Sequence, residues 1–250
     1  MIFKFNNLSN SNSCIHGVTT KICNEPQKFS LAMHTGEDIS ISFDNRLKAL
    51  ESLNISTDTK VILASQTHSS NVVIVDDMST AGWESMDDAI ADCDALISTK
   101  AGVLIGVLTA DCVPILLFDN EKQIVAAVHA GWRGTKANIV AKTVKIMQEQ
   151  FGCSNIIAGI GPSIGACCYE VDSKLAKEFE QYRGAVSSMN GNYMLDLPLI
   201  NRFQMIEAGV KDSNIEMSNI CTGCENENYF SYRFEHGCSG RFASFIGIKE

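Results

Sequence analysis

Hydrophobic positions follow two rhythms along this chain. In its middle they form nearly continuous apolar runs, at residues 101–109 (AGVLIGVLT), 113–118 (VPILLF) and 124–128 (IVAAV), with shorter runs at 61–65 and 72–75. Runs of this length, interrupted by turn residues such as Asp119-Asn120, predict strands buried on both faces. Over 136–151 the period changes. Val140, Val144, Met147 and Phe151 fall on one face of a helix, and Gly152 stands where it would end. Residues 44–53, 173–182 and 198–208 also predict helices, the last with Pro198 in its first turn. Residues 156–160 and 242–248 predict strands, and the Asn- and Ser-rich stretch 6–13 a surface loop. No linker, repeat or low-complexity tract divides the sequence, so one domain over 1–250 is expected. Strands and helices mix throughout, which predicts an α/β to α+β fold with substantial sheets.

Composition narrows the function classes. The chain has 250 residues, 45% of them apolar and 20% charged, which excludes a disordered or highly charged fibrous protein. It holds no run of about 18 apolar residues, so no membrane span is expected. The N-terminus lacks the apolar segment of a signal peptide, which points to the cytoplasm. A net charge of −9 with no basic cluster argues against a nucleic-acid partner. Monomer and homodimer both fit. Ten cysteines are many for such a chain, and without secretion a disulfide framework is not expected. The thiols should be reduced, and the question is which of them do chemistry.

Three segments join His or Cys to the ends of predicted strands. They are Gln66-Thr67-His68-Ser69-Ser70, Thr109-Ala110-Asp111-Cys112-Val113-Pro114 and His129-Ala130-Gly131-Trp132-Arg133-Gly134. Polar side chains set in such apolar surroundings carry a desolvation cost that something must offset. One thiolate and two imidazoles suit zinc, and three protein ligands leave a fourth position open, the catalytic arrangement. The three residues match no local zinc motif. From pattern alone a metal site, a Cys–His nucleophilic pair and satisfied core residues all stay open.

The same segments carry a family resemblance. Ile15-His16-Gly17-Val18-Thr19-Thr20, Asp44-Asn45-Arg46, Gln66-Thr67-His68 and Asp94-Ala95-Leu96-Ile97 are joined by Leu108 through Pro114 and Val128 through Gly134. Gly161-Pro162-Ser163-Ile164-Gly165, Cys168-Tyr169-Glu170-Val171, Tyr229-Phe230-Ser231-Tyr232-Arg233 and Gly240-Arg241 complete the set. Over essentially the whole chain the sequence resembles the YfiH-like, or laccase-domain, proteins, formerly called polyphenol oxidases. That resemblance implies a layered sandwich with mixed β-sheets covered by helices. It implies a zinc-dependent purine nucleoside phosphorylase acting on adenosine, inosine, guanosine and methylthioadenosine, with adenosine deaminase activity. It maps the zinc ligands onto His68, Cys112 and His129, which would also be catalytic. Asp111, beside Cys112, is then expected to support the ligand or carry a proton. Arg46, Arg133, Arg233 and Arg241 are candidates to hold phosphate, because a guanidinium fork fits its geometry, although each also reads as a surface ion-pair partner. His16 is expected to line the pocket or pack in the core.

Rival readings remain at this level. Two His and one Cys also resemble a blue-copper ligand set, so a copper-dependent polyphenol oxidase is one alternative. A multicopper enzyme needs far more histidines than the five present. A second alternative is a Cys–His hydrolase or deamidase, with Cys112 as nucleophile and His129 as base, a chemistry linked to cell-wall precursor editing. A binding module with a structural metal would need a fourth ligand, such as Cys93 or His16. Cys221-Thr222-Gly223-Cys224 is a lone Cys-x-x-Cys with Cys238 nearby. It lacks the zinc-deaminase signature and reads mostly as plain thiols. Cys167-Cys168 are expected to stay reduced. The stretch Gly159 to Gly165 is read as a tight turn whose amides could bind an anion. His34 and His236 are expected at the surface.

Overall fold

The computed structural model describes residues 2–75, 79–237 and 239–250; Cys238 lies outside the described residues. Two mixed sheets stack face to face. The six-stranded sheet runs, in order, Ile215–Met217, Ile156–Ile160, Val113–Asp119, Ile124–Ala130, Ala95–Ser98 and Val72–Val75. Its central pairs are antiparallel, while both outermost pairs are parallel. The five-stranded sheet runs Ile2–Phe3, Cys14–Thr19, Phe242–Ile248, Val103–Thr109 and Lys60–Leu63, antiparallel except for the last pair. A smaller sheet of Glu170–Val171, Asn192–Leu195 and Val186–Met189 stands apart from these two.

The period of two along each strand explains the unbroken apolar runs. Val113, Ile115 and Leu117 face the helices Ile139–Phe151 and Leu197–Glu207, while Leu116 and Phe118 face the other sheet. Ile105 and Val107 meet them across the interface, and Leu104 and Leu108 point outward against the helix Ile39–Ser52. The result is a sandwich of helix, sheet, sheet and helix, in which both sheets are covered on both faces. This is the layered, mixed-sheet architecture the resemblance implies, reached with largely antiparallel strands.

Three expectations need correction. Residues 136–151 do not form one helix. Trp132–Lys136 is a separate turn, and Asn138, at φ 59°, breaks the chain before Ile139–Phe151 begins. Gly152 ends that helix in the left-handed region, with its N–H on the Gln148 and Met147 carbonyls. The helix expected over 173–182 stops after Ser173–Lys177. Residues 6–13 are not a free loop. Asn6–Ser9 is a helical turn with Leu8 buried, and Asn7 Nδ2 donates to the Ala158 and Asn214 carbonyls at 2.8 and 3.1 Å. An asparagine that satisfies backbone carbonyls docks a polar segment which composition alone reads as solvated.

Candidate active site

The chain crosses from one sheet to the other at residues 110–112, between Val103–Thr109 and Val113–Asp119. Asp111 turns there at φ 82°. Cys112 therefore sits at the seam, one residue before the pair Val113 and Ala130. His129 lies next to that pair, opposite Pro114, and points from the end of its strand. His68 arrives on a loop held by Gln66, whose side-chain amide both donates to the Leu108 carbonyl and accepts from the Leu108 N–H at 2.8 Å. The ligand-type atoms of His68, Cys112 and His129 all lie within 4.8 Å of one another. His129 is buried, Cys112 half-buried and His68 exposed. Gly131 permits this approach, because a Cβ there would stand 2.9 Å from His68 Cδ2 and 3.1 Å from Cys112 Sγ.

Asp94 organises the cluster, a role the residue-level reading of the sequence does not assign. It precedes the strand Ala95–Ser98 and faces His129 across the ladder, where the His129 N–H donates to its carbonyl at 2.8 Å. Its carboxylate pairs with His129 Nδ1 at 2.8 Å and accepts from the N–H groups of His68 at 3.1 Å and Ser69 at 2.7 Å. Burial alone would raise this carboxyl, but His129 and Ser69 hold it well below the usual carboxylate range. Burial likewise opposes charge on Cys112 and His129. Their mutual attraction overcomes it, lowering the thiol and raising the imidazole, with Asp94 reinforcing the latter. The signal in the sequence was a carboxylate directly before an apolar strand.

The cluster opens into a cavity of about 580 Å³, a size suited to a small ligand. Three of the chain's six arginines, Arg133, Arg233 and Arg241, line it. Each lies over an aromatic ring: Arg133 4.5 Å from Trp132, Arg233 5.2 Å from Tyr169 and Arg241 5.9 Å from Tyr232. Asp111 also lines the cavity. Its carboxylate accepts from Thr222 Oγ1 at 2.7 Å and from the Arg233 N–H at 2.6 Å. His34, expected at the surface, is exposed yet lines the same cavity.

Arg46 and His16 are elsewhere. Arg46 is fully buried, and its guanidinium donates to the carbonyls of Leu31 at 2.9 Å, Gly82 at 2.8 Å and Trp83. It is a structural staple, not a phosphate ligand. His16 accepts the Phe5 N–H at 3.0 Å through Nε2 and lies against the Phe5 ring, away from the cavity. Cys93 donates to the Ala95 carbonyl at 3.0 Å, so neither Cys93 nor His16 supplies a fourth ligand. The amides between Gly161 and Gly165 are also engaged. They bond Pro114, Ile220, Asp111 and Cys221, which removes the expected anion site.

With this geometry in view, similarity to known proteins is informative. A family model described as "Multi-copper polyphenol oxidoreductase laccase" matches residues 15–249. The chain belongs to this family. Among laccase-domain relatives, the protein named purine nucleoside phosphorylase YlmD from Geobacillus stearothermophilus is 33% identical over 94% of this chain and 90% of its own length. A protein named adenosine deaminase RL5, from an unknown prokaryotic organism, is 35% identical over 88% of this chain and 86% of its own. The crystal structure of YlmD from Geobacillus stearothermophilus superposes with a TM-score of 0.91 at 31% identity, covering 98% of this chain and 94% of that one. The laccase-domain relatives are thus named as enzymes of purine nucleoside chemistry. No helix among the described residues is long and apolar enough to cross a membrane.

Proposed function

We propose that this chain is a zinc-dependent purine nucleoside phosphorylase with adenosine deaminase activity, acting on adenosine, inosine, guanosine and methylthioadenosine in the cytoplasm. The observation that carries the reading is the meeting of His68, Cys112 and His129 at a cavity lined by three arginines. The donor set fits the metal. Asp94 occupies His129 Nδ1 and so leaves Nε2 as the free ligand atom, the usual carboxylate–histidine support of a zinc site. Three protein ligands match a catalytic rather than a structural centre. When bound, zinc supplies a Lewis acid to this cavity.

The protein's own groups then divide the work. Arg133, Arg233 and Arg241 hold phosphate, so that one of its oxygens bonds to ribose C1′ as the bond to the purine nitrogen breaks. The purine nitrogen leaves with a proton. In deamination, water adds at C6 of adenosine and ammonia departs. Asp111, with both oxygens already accepting hydrogen bonds, fixes the backbone of Arg233. Trp132, Tyr169 and Tyr232 orient the guanidinium groups.

Cys112→Ala tests the shared site. Both phosphorolysis and deamination should disappear together with zinc binding. Phosphorolysis retained by the metal-free variant would reject the proposal.

A second reading has one specific support. Cys112, His129 and Asp94 stand in the order of a thiolate, its imidazole partner and an orienting carboxylate, as in a cysteine hydrolase. Activity that resists chelation and is blocked by thiol alkylation would favour it. The copper oxidase reading gains less. Of the five histidines only His68 and His129 converge, which is too few for several copper ions.

A further inference from the structure

Cys167, Cys168, Cys221 and Cys224 look unrelated in sequence, an adjacent pair and a lone Cys-x-x-Cys. The fold lays the two segments side by side. Ser163 bridges Cys221 in parallel, with Ser163 N–H on the Ile220 carbonyl at 3.2 Å and Thr222 N–H on the Ser163 carbonyl at 3.0 Å. Two tight turns then aim the thiols at one point. Cys168 and Tyr169 N–H both donate to the Gly165 carbonyl at 3.0 Å, and Glu225 N–H donates to the Cys221 carbonyl at 2.9 Å. All four Sγ atoms lie within 4.8 Å of one another. Cys224 Sγ is 3.4 Å from Cys167 Sγ and 3.5 Å from Cys168 Sγ.

Those spacings suit a metal. Four sulfurs at the corners of a tetrahedron around zinc, with Zn–S about 2.3 Å, stand about 3.8 Å apart. A disulfide requires about 2.05 Å, and one such bond would leave two thiols unused. The backbone also sets a donor against one of these sulfurs. Gly165 N–H donates to Cys221 Sγ at 3.2 Å.

We propose that Cys167, Cys168, Cys221 and Cys224 form a closed tetrathiolate zinc site, with ligands distinct from His68, Cys112 and His129. Each thiol that binds gives up its proton to solvent. Four protein ligands leave no open position, so the site is structural. It clips the turn bearing Thr222, which holds Asp111, to the turn leading to Tyr169 in the cavity wall. Gly223 allows the clip, since a Cβ there would stand 3.0 Å from Cys168 Cβ.

The test is metal stoichiometry, and it is independent of nucleoside turnover. Metal-free protein, reduced beforehand, is loaded with zinc and weighed by native mass spectrometry, then titrated in parallel with cobalt(II). The wild type should hold two zinc ions per chain, and both the Cys221→Ser/Cys224→Ser and the His68→Ala/His129→Ala variants should hold one. The strong sulfur-to-cobalt absorbance of a tetrathiolate should persist in the histidine variant and vanish in the cysteine variant. Should the cysteine variant fail to fold, alkylation of the wild type decides: zinc should protect all four thiols from a maleimide. A single zinc per chain, lost with the histidines, would overturn the proposal. So would a disulfide among these cysteines in the zinc-loaded protein, or equal alkylation with and without zinc.

Discussion

Asp94 Oδ1 lies 2.8 Å from His129 Nδ1, and the same carboxylate collects the backbone of the His68 loop. One buried acid thus positions two of the three residues proposed to hold zinc. Asp94→Asn keeps the shape but weakens both functions. Zinc affinity, measured by competition with a chelator, should fall by about 10–100-fold, the usual cost of losing such a partner. An unchanged affinity would show that Asp94 is only structural.

Gly131 is set by the cluster rather than by its backbone angle. Adding one methyl group in Gly131→Ala places a carbon against His68 and Cys112, which must move apart. Zinc affinity should drop by about tenfold or more. The thermal midpoint should change little, because the intrusion is toward the cavity. A variant that binds zinc normally would contradict the packing described here.

Arg46 and Arg233 should fail in opposite ways. Arg46→Ala strands buried carbonyls of Leu31, Gly82 and Trp83, at about 1–3 kcal/mol for each unsatisfied group. The protein should lose several kcal/mol of stability in a urea titration, while the folded fraction keeps its KM for phosphate. Arg233→Ala should leave stability nearly intact and raise that KM by about tenfold or more, as loss of a charged hydrogen bond does.

His16 predicts an acid sensitivity. Burial, aided by the charge of Lys4, holds its imidazole down from 6.5 to about 4. Below pH 6.5 the unfolded chain takes up a proton that the folded chain refuses. Stability therefore falls as pH drops from about 6.5 toward 4, by up to about 1.4 kcal/mol per unit. Urea midpoints measured across this window should show a shallower slope in His16→Gln, which can still accept the Phe5 N–H. Equal slopes would remove His16 as the cause.

The strands at 103–109, 113–119, 124–130 and 242–248 were legible because burial on both faces leaves few polar positions to disguise them, whereas the half-exposed strands at 192–195 and 215–217 carry no such run. Residues 113–118 and 242–248 mark their strands directly, and His68, Cys112 and His129 stood out as polar residues at strand ends. Arg46 was not legible. A guanidinium that caps carbonyls and one that binds phosphate look the same in sequence, and only its complete burial separates them. Asn138 hid a break inside a good helical period, since one left-handed residue changes no hydrophobic spacing. The four cysteines were invisible as a group, because a turn pairing, not a motif, brings Cys167 and Cys168 to Cys221 and Cys224.

The decisive measurement is to incubate the purified protein with adenosine and phosphate, with and without a zinc chelator, and to identify the products by mass spectrometry. The zinc-loaded protein should form adenine with ribose 1-phosphate, together with inosine, and chelation should abolish all of these products. Turnover that survives complete removal of zinc, or no nucleoside turnover by the zinc-loaded protein, would contradict the proposed function.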